Sequence, residues 1–242
     1  MVLMNRLIVS LDIDDFAKAN QLIDVLSSEV SHFKVGIAPF VDFGDKLLEK
    51  LNLAGKKVFL DLKFHDIPNT VKNAALACAR KGVFMMNVHC LGGRRMMEAA
   101  MEGVNAANVK SRPLLLGVTI LTSMTKDDMQ AIGMQGEVQQ KVLELATLAK
   151  SSGLDGVVAS AQEAGMIKRE LGQDFLVVTP GIRPIWAMNK KEDQRRVLTP
   201  SQAIAAGADY IVVGRPIIQA ESPLEAAKKI MQELEGVVSG KK

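Results

Sequence analysis

Apolar residues gather along this chain in short runs, at 7–11, 33–36, 58–62, 85–88, 114–118, 156–159, 175–178 and 210–213. Each run has the length of a strand and carries no turn signal, as expected where both faces are covered. Between the runs the period changes. Stretches 14–27, 68–81 and 138–151 place their apolar residues on one side of a helix. Pro68 and Pro200 suit a first helical turn, and Thr199 is a suitable cap ahead of Pro200. Ser160-Ala161-Gln162-Glu163 reads as a capping box, and Gly153, Gly172 and Gly207 follow apparent helix ends.

Strand and helix alternating eight times predict an α/β fold, a closed parallel (β/α)8 TIM barrel, with an open doubly wound sheet as the alternative. The 242 residues match the roughly 250 that one barrel needs. No linker or composition shift interrupts them, so residues 1–242 are expected to form a single catalytic domain. Two connections exceed the usual length, 120–136 after the fifth strand and 180–199 after the seventh. Both follow the C-terminal ends of strands, where barrels carry their active sites, and are candidate lids.

Composition narrows the partners. Apolar residues make up 48% and aromatics only 4%, so the core is aliphatic, with Met85, Met86, Met96, Met97 and Met101 read as core filler. The formal charge of +3 is spread over short pairs such as Lys56-Lys57 and Arg94-Arg95, a solvated surface rather than a nucleic-acid stripe. Cys78 and Cys90 are too few for a disulfide framework or a zinc site. The run 7–11 is too short for a signal peptide, and nothing approaches a membrane span. A soluble cytoplasmic protein is expected.

The charged residues at strand ends carry the candidate chemistry. Side chains two apart on a strand point the same way, so Asp61 and Lys63 share a direction at the end of strand three. Asp66 follows in the loop, Lys34 ends strand two and Asp12 ends strand one. Five charged groups are thus expected on one mouth. Ion pairs trimming the rim are the alternative, but burying charge costs several kcal/mol per ion, so stability alone does not favour such a cluster.

Gly214-Arg215 after strand eight, with Arg183 opening the 180–199 connection, suggests a site for a phosphorylated small molecule. His65 and His89 are open to an acid–base or a structural reading, and Trp186 to covering a ligand or anchoring the lid. No tight metal-ligand spacing occurs.

The block Asp61-Leu62-Lys63-Phe64-His65-Asp66-Ile67-Pro68-Asn69-Thr70 resembles the signature of the orotidine 5′-monophosphate decarboxylase family. Leu11-Asp12, Lys34-Val35-Gly36, Asn87-Val88-His89, Leu121-Thr122-Ser123, Thr179-Pro180-Gly181-Ile182-Arg183, Asp193-Gln194 and Val213-Gly214-Arg215 follow in the family's order. The resemblance implies cofactor-free, metal-free loss of CO₂ from orotidine 5′-monophosphate, giving UMP in pyrimidine synthesis. By the family's pattern Lys63 donates the proton to C6. Lys34, Asp61, Lys63 and Asp66 form a charge network, with Asp66 and Thr70 reaching into the partner's site of a homodimer. Asp12, Lys34 and Thr70 hold the ribose, Ile67 belongs to the substrate-binding block, and Thr122 lies beside the base. Arg183, Gln194, Gly214 and Arg215 take the phosphate, the Gln194 loop closing over it. Residues 186–192 match nothing in the pattern.

Two rivals remain at this level. A sister barrel acting on a sugar phosphate through a metal-bound enediolate, such as a keto-gulonate-phosphate decarboxylase or hexulose-phosphate synthase, resembles the Asp-x-Lys-x-x-Asp block. It would want an acidic residue where Lys34 stands. A catalytically silent nucleotide binder is the other, and the presence of all four charged positions argues against it.

Overall fold

The computed structural model of the chain describes residues 6–187 and 198–238. Eight strands alternate with helices: β1 (Leu7–Ser10), β2 (His32–Gly36), β3 (Lys57–Phe64), β4 (Met85–His89), β5 (Leu114–Val118), β6 (Gly156–Val158), β7 (Leu176–Thr179) and β8 (Tyr210–Val213). All pair in parallel, each with its sequence neighbour, and β8 returns to β1. The barrel is closed, and the open sheet is excluded.

Strand parity divides the core in two. Leu7, Val9, Phe33, Val35, Leu60 and Met86 belong to the larger cluster, which also holds the buried helix residues. Their neighbours of opposite parity, including Ile8, Phe59, Met85, Leu116 and Val178, form a separate and smaller one. The inward-facing residues of successive strands therefore fill the barrel, as side chains do in such folds. Of the five methionines read as filler, Met85, Met86, Met96 and Met97 are buried and Met101 packs against the core.

Local signals account for most helix boundaries. Asp15 caps the helix Phe16–Leu26 by accepting from the amides of Ala17 and Lys18. Pro68 opens the helix Pro68–Ala79, and a Thr199–Gln202 capping box opens Pro200–Ala205. Gly153, Gly172 and Gly207 adopt φ of 84°, 89° and 109°, the left-handed region that glycine reaches without a Cβ penalty. Ser160 accepts from Gln162, at the second helical position rather than the third of a capping box.

The connections differ from the sequence reading in some details and add to it in others. The 120–136 connection is not a plain loop: it contains the helix Lys126–Ala131, opened by a Thr125–Asp128 capping box. Two helices, Ile37–Phe43 and Asp45–Leu53, join β2 to β3, and the strand β3 runs two residues beyond 62. The base of the 180–199 connection is pinned by the Ile182–Leu198 bridge, where the Arg183 amide donates to Leu198 O at 3.0 Å.

Candidate active site

Inward parity carries the polar residues of the strands to the C-terminal mouth. There they line a cavity of about 300 Å³, within the size range of small-molecule sites. Asp12, Lys34, Asp61, Lys63, Thr122, Arg183, Gly214 and Arg215 all contribute to its wall. Lys34 sits inside β2 rather than at its end, so its stem rises from within the barrel.

The charges alternate in a row. Lys34 Nζ stands 3.4 Å from Asp12 Oδ1 and 3.3 Å from Asp61 Oδ2, and Lys63 Nζ stands 2.6 Å from Asp61 Oδ1. Ser10 Oγ donates to the other oxygen of Asp12 at 2.7 Å. Burial pushes the Asp61 carboxyl up. The charges of Lys34 and Lys63 and the hydrogen bonds from Lys63 and Asn87 outweigh it, and the net displacement is downward. Asp61 is therefore ionised at neutral pH. Gly36 leaves room for this row, since a Cβ there would lie 3.1 Å from Lys34 Nζ and 3.2 Å from Asp12 Oδ1.

Lys63 reaches Asp61 by a different route from the pleat. The β3–β4 register shifts between Leu60 and Phe64, and Lys63 takes φ 51°, uncommon for a residue with a Cβ. Its amide donates to Asn87 Oδ1 at 2.8 Å. The shared direction expected from spacing thus holds as a contact and fails as a mechanism.

Asp66 departs from the expected cluster. It is exposed, its Oδ1 accepts from the following amide of Ile67 at 2.6 Å, and neither it nor Ile67 nor Thr70 lines the cavity of this chain. Ile67 is 67% exposed. Gln194 lies outside the described residues.

At the far wall, Arg183 is buried, and its Nη1 donates to Ile182 O at 3.1 Å. Gly181 beside it takes φ 76°. Trp186 is half-exposed in the turn Ile185–Ala187, 5.9 Å from Lys229 Nζ, and does not line the cavity. The rings of His65 and His89 are 5.6 Å apart beside Lys63. Burial, then the neighbouring His65 and Lys63, hold His89 below the usual histidine range, with Asp61 opposing them. Among the described residues no group of three His, Cys, Asp or Glu side chains could hold a metal.

Two participants were given no role by sequence reasoning. Ser10 and Asn87 are both buried on strands, and Asn87 is a polar residue inside the apolar run Met85-Met86-Asn87-Val88. That interruption was the available signal.

Residues 5–230 match the family described as "Orotidine 5′-phosphate decarboxylase / HUMPS family". This chain belongs to that family. A curated relative from Vibrio cholerae, named orotidine 5′-phosphate decarboxylase, is 51% identical over 95% of this chain and 98% of its own. One of the same name from Hydrogenovibrio crunogenus is 52% identical over 93% and 94%. A solved structure of orotidine 5′-phosphate decarboxylase from Lactobacillus acidophilus superposes with a TM-score of 0.84 at 40% identity, covering 95% of this chain and 99% of that one. The family's description joins two names, and these relatives carry the first.

Proposed function

We propose that this protein is an orotidine 5′-monophosphate decarboxylase, converting that nucleotide to UMP and CO₂ in pyrimidine nucleotide synthesis. The observation that carries the reading is the alternating row Asp12–Lys34–Asp61–Lys63 on the cavity wall. A metal-dependent sugar-phosphate enzyme needs a carboxylate where Lys34 stands, and an ammonium there repels a divalent cation. The names of relatives at about half identity support the same choice.

In the proposed reaction the bond from C6 to the carboxylate breaks, its electron pair stays on C6, and CO₂ leaves. Negative charge then develops on a ring carbon with no obvious electron sink. Enzymes lower barriers by about 8–23 kcal/mol, and a charge fixed in advance where it is needed is a large contributor. Lys63 supplies that charge, then transfers a proton to C6 and is reprotonated from solvent. Asp61, ionised and 2.6 Å away, holds the ammonium in place.

Asp12, Lys34 and Thr70 are assigned to the ribose, and Thr122 to the base. Arg183, Gln194, Gly214 and Arg215 are assigned to the phosphate, whose binding can drive closure of the 180–199 segment and so contribute to the chemical step. Asp66, Ile67 and Thr70 are assigned to the neighbouring site of a cytoplasmic homodimer. Their exposure in a single chain supports this. Mixing Lys63→Ala with Asp66→Ala subunits checks the shared site: in the heterodimer both lesions fall in one site and leave the other intact, so activity partly returns. No return contradicts sharing.

Loss of orotidine 5′-monophosphate absorbance on incubation with the purified protein, undiminished by a chelator, is the expected result. Turnover that disappears with the chelator favours the metal-dependent rival. Tight UMP binding without turnover favours the silent binder.

A further inference from the structure

We propose that Asn87 is the positioning residue that sets the Lys63 ammonium against Asp61, acting on the decarboxylation step without touching substrate; this rests on the function proposed above. Leu60 pairs with Met86 and Phe64 with Val88, so Asp61, Leu62 and Lys63 are taken up opposite the single residue Asn87. Two more residues are accommodated on β3 than on β4, and the Lys63 amide is turned out of the regular ladder. A left-handed backbone at a residue with a Cβ persists only where its surroundings hold it.

Asn87 is that hold. Its side chain is 0% exposed and both ends are engaged. Oδ1 accepts from the Lys63 amide at 2.8 Å, and Nδ2 donates to Asp61 Oδ1 at 2.7 Å. The same Asp61 oxygen receives Lys63 Nζ at 2.6 Å. One carboxamide therefore fixes the backbone of the lysine and the carboxylate that aims its amine. The partners dictate its orientation, because an amide N–H requires the oxygen and a carboxylate requires the nitrogen.

Few other side chains can serve. Aspartate keeps the acceptor for Lys63 but faces Asp61 with a second negative charge. Leucine leaves a buried amide without its acceptor and takes from Asp61 one of its donors. Glutamine is one methylene too long for a site closed on every side. Asn87 does not line the cavity, so its removal spares the surfaces assigned to ribose and phosphate.

The test compares parent, Asn87→Ala and Asn87→Asp in kcat, KM for orotidine 5′-monophosphate, UMP affinity and the pH profile of kcat/KM. Misplacing a reacting group by about 1 Å costs roughly 10²-fold, so kcat of Asn87→Ala should fall by about that factor. KM and UMP affinity should stay within about threefold of the parent, as for an interaction made only in the transition state. Asn87→Asp should move the acid limb of kcat/KM to higher pH, since two adjacent carboxylates share a proton more readily than one. A kcat for Asn87→Ala within about threefold of the parent overturns the proposal, as does an equal loss of kcat and UMP affinity. Should Asn87→Ala fail to fold, the near-isosteric Asn87→Asp decides alone, and an unmoved acid limb overturns the proposal. An inactive parent instead refutes the proposed function, and the role of Asn87 falls with it.

Discussion

His32 lies at the opposite end of the barrel from the cavity, and it offers a perturbation confined to stability. It opens β2, and its ring sits 5.2 Å from that of Phe84 and 5.5 Å from that of Tyr210. Nδ1 contacts Ser31 Oγ at 2.8 Å, while Nε2 is buried with no hydrogen-bond partner among the described residues. Burial, reinforced by the Lys57 charge, lowers its pKa from 6.5 to about 4. The folded imidazole is thus neutral where the unfolded one charges. Its contribution to stability is complete above pH 6.5 and is lost as pH falls toward 4.

At about 1.4 kcal/mol per pH unit, the complete loss is about 3 kcal/mol, of which about 2 kcal/mol is gone by pH 5. For a chain of this size that is a fall in Tm of about 4–8 °C. Urea denaturation at pH 8 and pH 5, for the parent and His32→Phe, measures it. The variant removes the titrating group whatever it does to stability at pH 8, so the gap between the two pH values should shrink by about 2 kcal/mol. Equal gaps in parent and variant refute the reasoning. The kcat/KM at pH 8 should be unchanged, because residues at this end of a barrel serve stability.

Two further outcomes follow from packing and charge. A Cβ at Gly103 would lie 2.2 Å from Lys72 O, where two helices cross backbone to backbone, so Gly103→Ala should lower the unfolding free energy in urea by about 1–3 kcal/mol. Arg215→Ala should raise KM for the nucleotide more than it lowers kcat, by about 10–100-fold for the loss of one or two charge-assisted hydrogen bonds, in steady-state assays.

Much of the barrel was legible because strands buried on both faces leave uninterrupted apolar runs. The runs at 114–118 and 210–213 coincide with β5 and β8. Short helices were harder to see. Lys126–Ala131 has six residues and one buried apolar side chain, too little for a period to show. In the site, Asp12, Lys34, Asp61 and Lys63 could be placed on one mouth from their positions within or just after apolar runs. The bulge that turns Lys63 could not, because it arises from pairing with β4, and spacing within β3 carries no record of its partner. Asn87 was named within the family's pattern but given no role for the same reason: that role depends on two residues of another strand. Asp66 was read into the cluster by nearness in sequence, yet the chain turns it outward into a loop where it caps its own neighbour.

The central claim is that the Lys63 ammonium, held by Asp61, stabilises and protonates the carbanion at C6. Single-turnover conversion of orotidine 5′-monophosphate by Lys63→Ala, with UMP affinity measured on the same preparation, tests it most directly. The account predicts turnover abolished and UMP still bound with affinity near that of the parent. Conversion at a rate near that of the parent contradicts it.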